Sequence, residues 1–122
     1  MNLFKLLTVL LSVFFFSISA QANDKVKVGF IYVGPIGDHG WTYRHDIGRL
    51  DVEKHFGDKV ETTYLENIKY GPDAERAIRA MAQNGADIIF ATSFGYMEPM
   101  LKVAKEFPNV KFEHATGYKQ SD

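Results

Sequence analysis

The chain has 122 residues, no cysteine, a formal net charge of −1, and 46% hydrophobic, 24% charged and 14% aromatic residues. That balance describes an ordinary globular chain of about one domain and excludes a disordered tail. Disulfides, thiolate catalysis, cysteine-held zinc and a lipoprotein anchor are excluded with the cysteines, and interspersed Lys/Arg and Asp/Glu argue against a nucleic-acid or anionic-membrane surface.

The first 22 residues read as a leader. Met1 to Lys5 is a short basic start, Leu6 to Ile18 is an apolar core broken only by Thr8, Ser12 and Ser17, and Ala20-Gln21-Ala22 has the small-x-small form of a cleavage site. A membrane-spanning helix needs roughly 20 consecutive apolar residues. The expectation is therefore a cleaved signal peptide, a mature chain from Asn23, a periplasmic location and no stable membrane insertion after cleavage.

Val26 to Val33, VKVGFIYV, has the β-branched and aromatic character of a strand buried on both faces. Gly34-Pro35 stops it. The stretch Gly34 to Arg49, GPIGDHGWTYRHDIGR, then sets three glycines and a proline before Trp41, Tyr43 and two histidines. A glycine-rich turn lets backbone approach a ligand, and an aromatic just after it can supply a flat stacking face. From Trp41 to Phe56 the pattern is helical, with Trp41, His45, Gly48, Val52 and Phe56 near one stripe. Gly57-Asp58 ends it.

Val60 to Leu65 alternates as a second strand and leads into a loop, Glu66 to Gly71. From Pro72 or Asp73 the clearest helix runs to Asn84-Gly85, with Ala74, Ala77, Ile78, Met81 and Ala82 inward and Glu75 and Arg79 spaced as an i, i+4 pair. Ala86 to Ala91 reads as a third strand. The loop Thr92 to Tyr96 opens a helix with Met97, Met100, Leu101 and Ala104 inward and Pro99 in its first turn. Phe107-Pro108-Asn109 closes that helix, and Val110 to Ala115 is a fourth strand. Strands alternating with helices over short connections predict an α/β fold: an open parallel sheet with helices on both faces.

Such sheets bind ligands beyond the carboxyl ends of their strands. Four loops meet there. They offer Trp41, Phe94 and Tyr96 for stacking and Asp38, His39, Thr42, Asn67 and Ser93 for hydrogen bonds, with Gly95 in the Phe94 loop. GPIGDHG lacks the Gly-x-Gly-x-x-Gly and phosphate-loop spacings, and Asp38 would repel phosphate. Ser93 lacks a Gly-x-Ser-x-Gly elbow and reads as a hydroxyl that caps the next helix or touches a ligand. His39 and His45, with Asp38 and Asp46, lack metal-site spacing, and His55 and His114 have only a structural reading. Trp41 and Phe94 stand open between a stacking role and sealing of the helix–sheet core, while Tyr96 leans structural.

Three stretches in order, GFIYVGPIGDHGWTYRHDIGR, YLENIKYGPDAERAIRAMAQNGADIIFATSFGYMEP and LKVAKEFPNVKFEHATGY, closely resemble the basic membrane protein family of ABC-transporter substrate-binding proteins. That resemblance implies a type I periplasmic binding protein, two-lobed and non-enzymatic, that captures a purine nucleoside or nucleobase for import. No cofactor or metal is implied; the partners are the small-molecule ligand and ABC permease subunits, and the full-length receptor is expected to be a monomer. Residues 23–122 would form the amino-terminal lobe, incomplete and without the second lobe, so this piece alone is expected to bind purines weakly or not at all. Asp38, Trp41 and Thr42 stand where related members carry an Asp, an aromatic and an Asn, implying stacking by Trp41 with Phe94 as a second aromatic and polar contacts from Asp38 and Thr42. Thr42 in place of Asn makes a bare nucleobase such as adenine at least as plausible as a nucleoside. The other readings are an extracytoplasmic ligand sensor, a receptor for another solute such as a sugar, and, third, a purine hydrolase.

Overall fold

The computed structural model describes residues 24–121, and the expected leader lies outside them. Four strands, β1 (Val26–Ile31), β2 (Val60–Leu65), β3 (Ile88–Ala91) and β4 (Lys111–His114), alternate with three helices, α1 (Trp41–Phe56), α2 (Pro72–Gln83) and α3 (Met97–Ala104). All strand pairs are parallel, in the order β2-β1-β3-β4. The chain leaves β1 for β2 on one side and returns to β3 on the other. The strand order thus reverses at β1, and the crevice this creates lies past the carboxyl ends of β1 and β3.

Alternation along β1 divides its side chains between two layers. Ile31 joins a core with Ile78 and Met81 of α2, Ile89 and Ala91 of β3, and Met100 and Val103 of α3. Gly29 faces the same layer, and a β-carbon there would collide with the Met81 thioether. Val28, Phe30 and Tyr32 face the opposite layer, where Phe30 stacks on Phe90 at 5.2 Å and Tyr32 meets α1. Helices cover both faces, as the alternation of elements predicts.

The ladders are shorter than the apolar runs. β1 stops at Ile31, β3 starts at Ile88 and β4 spans only Lys111–His114, because ladder pairing, not hydropathy, sets a strand's ends. Three helix expectations need correction. α3 buries Met97, Met100 and Val103, an i, i+3, i+6 line, together with Pro99, leaving Leu101 and Ala104 half-buried. Glu75 and Arg79 bond across the α2–α3 seam: Lys102 donates to Glu75 at 2.7 Å, and Arg79 forks onto Glu106 at 2.7 and 2.8 Å. Side-by-side helices give each a partner of opposite charge that the i, i+4 position only approximates.

α1 is the largest correction. The buried residues are Thr42, Asp46 and Arg49, whereas Trp41, Gly48 and Phe56 are exposed and His45 and Val52 are half-buried. The polar line is admissible because its groups satisfy one another. Arg49 Nε donates to Asp46 at 2.6 Å, its Nη1 donates to Glu53 at 2.9 Å and Thr62 at 3.0 Å, and Tyr32 OH donates to Asp46 at 3.1 Å. The guanidinium carbon also lies 4.6 Å from the Tyr64 ring centre. Burial, reinforced by the Asp46 carboxylate, pushes the Tyr32 phenol up and keeps it a donor.

Candidate binding edge

At the carboxyl edge the chain leaves β1 through Gly34-Pro35, makes a 3-10 turn over Ile36–Asp38, and enters α1. The first amides of a helix have no partner within it. Here one carboxylate supplies three. Asp38 accepts from Gly40 N at 2.8 Å, Tyr43 N at 3.0 Å and Thr42 N at 3.1 Å. The amides of Gly40 and Tyr43, chiefly, hold its carboxyl below the usual carboxylate range. The N-cap, Gly40, has no side chain to do this, so Asp38 acts from two residues upstream.

Thr42 is fully buried, and its hydroxyl accepts from Gly34 N at 3.3 Å. Glu66, from the loop after β2, accepts Ile36 N at 2.6 Å, and Asn67 N donates to Gly34 O at 3.4 Å. Loops after β1 and β2 are thereby tied together. Trp41 donates its indole N–H to Thr92 O at 2.6 Å, yet its ring is 47% exposed. His45, one turn on, meets that ring edge-on at 4.8 Å, and burial pulls its imidazole below the ordinary value.

The loop after β3 is held as firmly. Ser93 makes no cap to the following helix. Its hydroxyl lies 2.6 Å from Tyr70 OH and its carbonyl 2.6 Å from His114 Nε2. Phe94, next in line, is 55% exposed, whereas Tyr96 is buried with its hydroxyl on Ile68 O at 2.6 Å. Three non-glycine residues adopt the left-handed region: His39 (φ 53°), Asn67 (φ 56°) and Thr116 (φ 73°). They stand in the loops after β1, β2 and β4. For the β-branched Thr116 that conformation is costly.

All eight residues singled out from sequence thus gather at one edge, in two sets. His39, Trp41, Asn67 and Phe94 are exposed. Asp38, Thr42, Ser93 and Gly95 work inward: the first three spend their polar groups on the frame, and Gly95 lies under the Tyr70 ring. Sequence reasoning overlooked Tyr70 and Glu66 and gave His114 no part; a tyrosine and a glutamate in a carboxyl-end loop were the available signal. Among the described residues no group of three or more His, Asp or Glu could hold a metal ion. A hollow of about 400 Å³ lies between α3 and residues 117–121; Tyr118 lines it, and Trp41 and Phe94 do not.

The family profile described as ABC transporter substrate-binding protein PnrA-like matches residues 25–122, nearly every described residue. The chain belongs to that family. Over 104 residues it is 62% identical to the purine-binding protein of Brucella abortus, covering 85% of this chain and 30% of that protein. It is 42% identical over 97 residues to a Haloferax volcanii protein provisionally named an ABC transporter glucose-binding protein, covering 80% of this chain and 24% of that one. Among solved structures, a solute-binding protein of an ABC transporter system from Conexibacter woesei superposes with a TM-score of 0.65 at 28% identity, over 71% of this chain and 28% of that one. The chain therefore spans about a third or less of the length of these relatives, and the parallel α/β architecture is that of ABC solute-binding proteins.

Proposed function

We propose that residues 23–122 form one wall of an extracytoplasmic receptor that captures a purine nucleobase or nucleoside and passes it to an ABC permease. The protein binds its ligand without transforming it. In this reading the mature chain begins at Asn23, the wall belongs to the amino-terminal lobe of a two-lobed, monomeric protein, and a second lobe closes over the ligand by hinge motion.

The observation that carries the reading is how the edge divides its groups. Trp41 has committed its only polar atom to Thr92 O, and Phe94 has none, so both offer bare π faces. A flat heteroaromatic ring suits such faces, and stacking contributes roughly 1–3 kcal/mol per base. The carboxylate of Asp38, held charged by the amides at the start of α1, opposes a phosphate-bearing ligand more than an uncharged one. His39 and Asn67 stand exposed beside these faces as polar contacts. Likeness to the Brucella purine-binding protein supports the same ligand class. The Haloferax relative favours a second reading, a sugar resting on the Trp41 face.

Thermal melting of the full-length, two-lobed protein with adenine, hypoxanthine, adenosine or glucose at millimolar concentration tests the proposal. Ligand at ten times its Kd adds about 1.4 kcal/mol of stability. Purines are expected to raise the Tm and glucose to leave it unchanged; a shift with glucose alone would replace purine by sugar, and no shift with any purine would remove the proposal.

A further inference from the structure

We infer that Tyr70 is a positioning residue for Phe94: it grips the residues on either side and thereby sets where that ring stands. The inference rests on the purine reading only in giving Phe94 a ligand to meet. Tyr70 comes from the loop after β2, and Phe94 from the loop after β3. The Tyr70 hydroxyl lies 2.6 Å from Ser93 Oγ, on the amino side of Phe94. Its ring lies so close over Gly95, on the carboxyl side, that a β-carbon there would come within 2.5–2.6 Å of three ring carbons. Tyr96 supports the ring from its edge at 5.3 Å and 75°.

Residue 94 therefore sits between two fixed neighbours. The Ser93 carbonyl is held further by His114 Nε2 at 2.6 Å and by Tyr96 N at 3.0 Å. With backbone held before and after it, Phe94 stands 55% exposed, its ring centre 6.3 Å from that of Tyr118. Tyr70 is itself half exposed, but its hydroxyl already has Ser93 as partner. The Tyr70 ring leaves no room for a β-carbon at position 95, so the two form one packing unit. This unit links the loops after β2 and β3 at the rim, beside the bond from Tyr96 OH to Ile68 O.

Hydrogen exchange and adenine binding, measured on Tyr70→Ala, Tyr70→Phe, Gly95→Ala and Phe94→Ala variants of the full-length, two-lobed protein, test it. Without ligand, Tyr70→Ala is expected to speed exchange at the amides of residues 94–96 about tenfold or more while β1 amides hold. Gly95→Ala should do the same alone and add little in the Tyr70→Ala background. Adenine affinity should fall about tenfold in Phe94→Ala, fall less in Tyr70→Ala and least in Tyr70→Phe, and the Tyr70→Ala loss should vanish when Phe94 is already alanine. Unchanged exchange at residues 94–96, or additive losses of adenine affinity, would overturn the positioning role. Faster exchange in a chain that binds no adenine would uphold the clamp and remove the purine reading instead.

Discussion

Asp38 departs furthest from the part its position in the chain suggests. An exposed carboxylate in a glycine-rich turn reads as a ligand contact, but here it supplies the first amides of α1 with an acceptor. Its folded-state pKa is depressed, so its contribution is present above the unfolded value of about 3.9 and is lost as pH falls through the folded one. Asp38→Ala should lower the Tm at neutral pH, and the gap between variant and parent should close as pH drops below about 4; a gap that persists at the acid end would mean that the carboxylate charge is not what caps the helix. Thr42 and Ser93 follow the same pattern. Sequence displays their hydroxyls as available, yet each bonds within the protein, Thr42 accepting from Gly34 N and Ser93 pairing with Tyr70 OH. A list of donors and acceptors was legible; which of them served the frame was not, because that depends on how the turn before α1 folds for Asp38 and Thr42, and on a loop 23 residues away for Ser93.

The elements divide along the same line. α2 was legible since its inward residues are apolar and recur with the helical period: Ala74, Ile78, Met81 and Ala82 are buried as the pattern requires. α1 was not, because an apolar inner stripe is only one way to dock a helix. Its inner line of Thr42, Asp46 and Arg49 is held by bonds to Tyr32, Glu53 and Thr62. The spacing Asp46, Arg49, Glu53 was the visible trace of that network. Asp46 and Arg49 side chains are 7% and 10% exposed, so removing Arg49 leaves the Asp46 carboxylate buried without a counter-charge, with only the Tyr32 hydroxyl on it. Arg49→Met should cost about 3–5 kcal/mol in urea unfolding. Replacing the group together, with Tyr32→Phe, Asp46→Leu and Arg49→Met, should recover most of that loss, since the buried carboxylate goes with its partner and Glu53, 43% exposed, is left to water. A triple variant less stable than the single one would show that the network contributes more than mutual satisfaction.

At the scale of the whole molecule, alternating strand and helix periods foretold a parallel sheet covered on both faces, and hydropathy sufficed for that. The order β2-β1-β3-β4 was not foretold; pairing between strands distant in the chain leaves no local mark, and only the general behaviour of doubly wound sheets placed the ligand loops together. That placement is what gives the chain its proposed work, because it brings Trp41 and Phe94 from separate loops to one exposed edge. Trp41 is the sole tryptophan, so its indole N–H gives a single resonance in a nitrogen-15 NMR spectrum of the chain. Titration with millimolar adenine should shift that resonance together with the amides of His39, Asn67 and Phe94, while glucose leaves them in place. Adenine shifts confined to the hollow between α3 and residues 117–121, with the Trp41 indole unmoved, would contradict the assignment of this edge as a purine-binding wall.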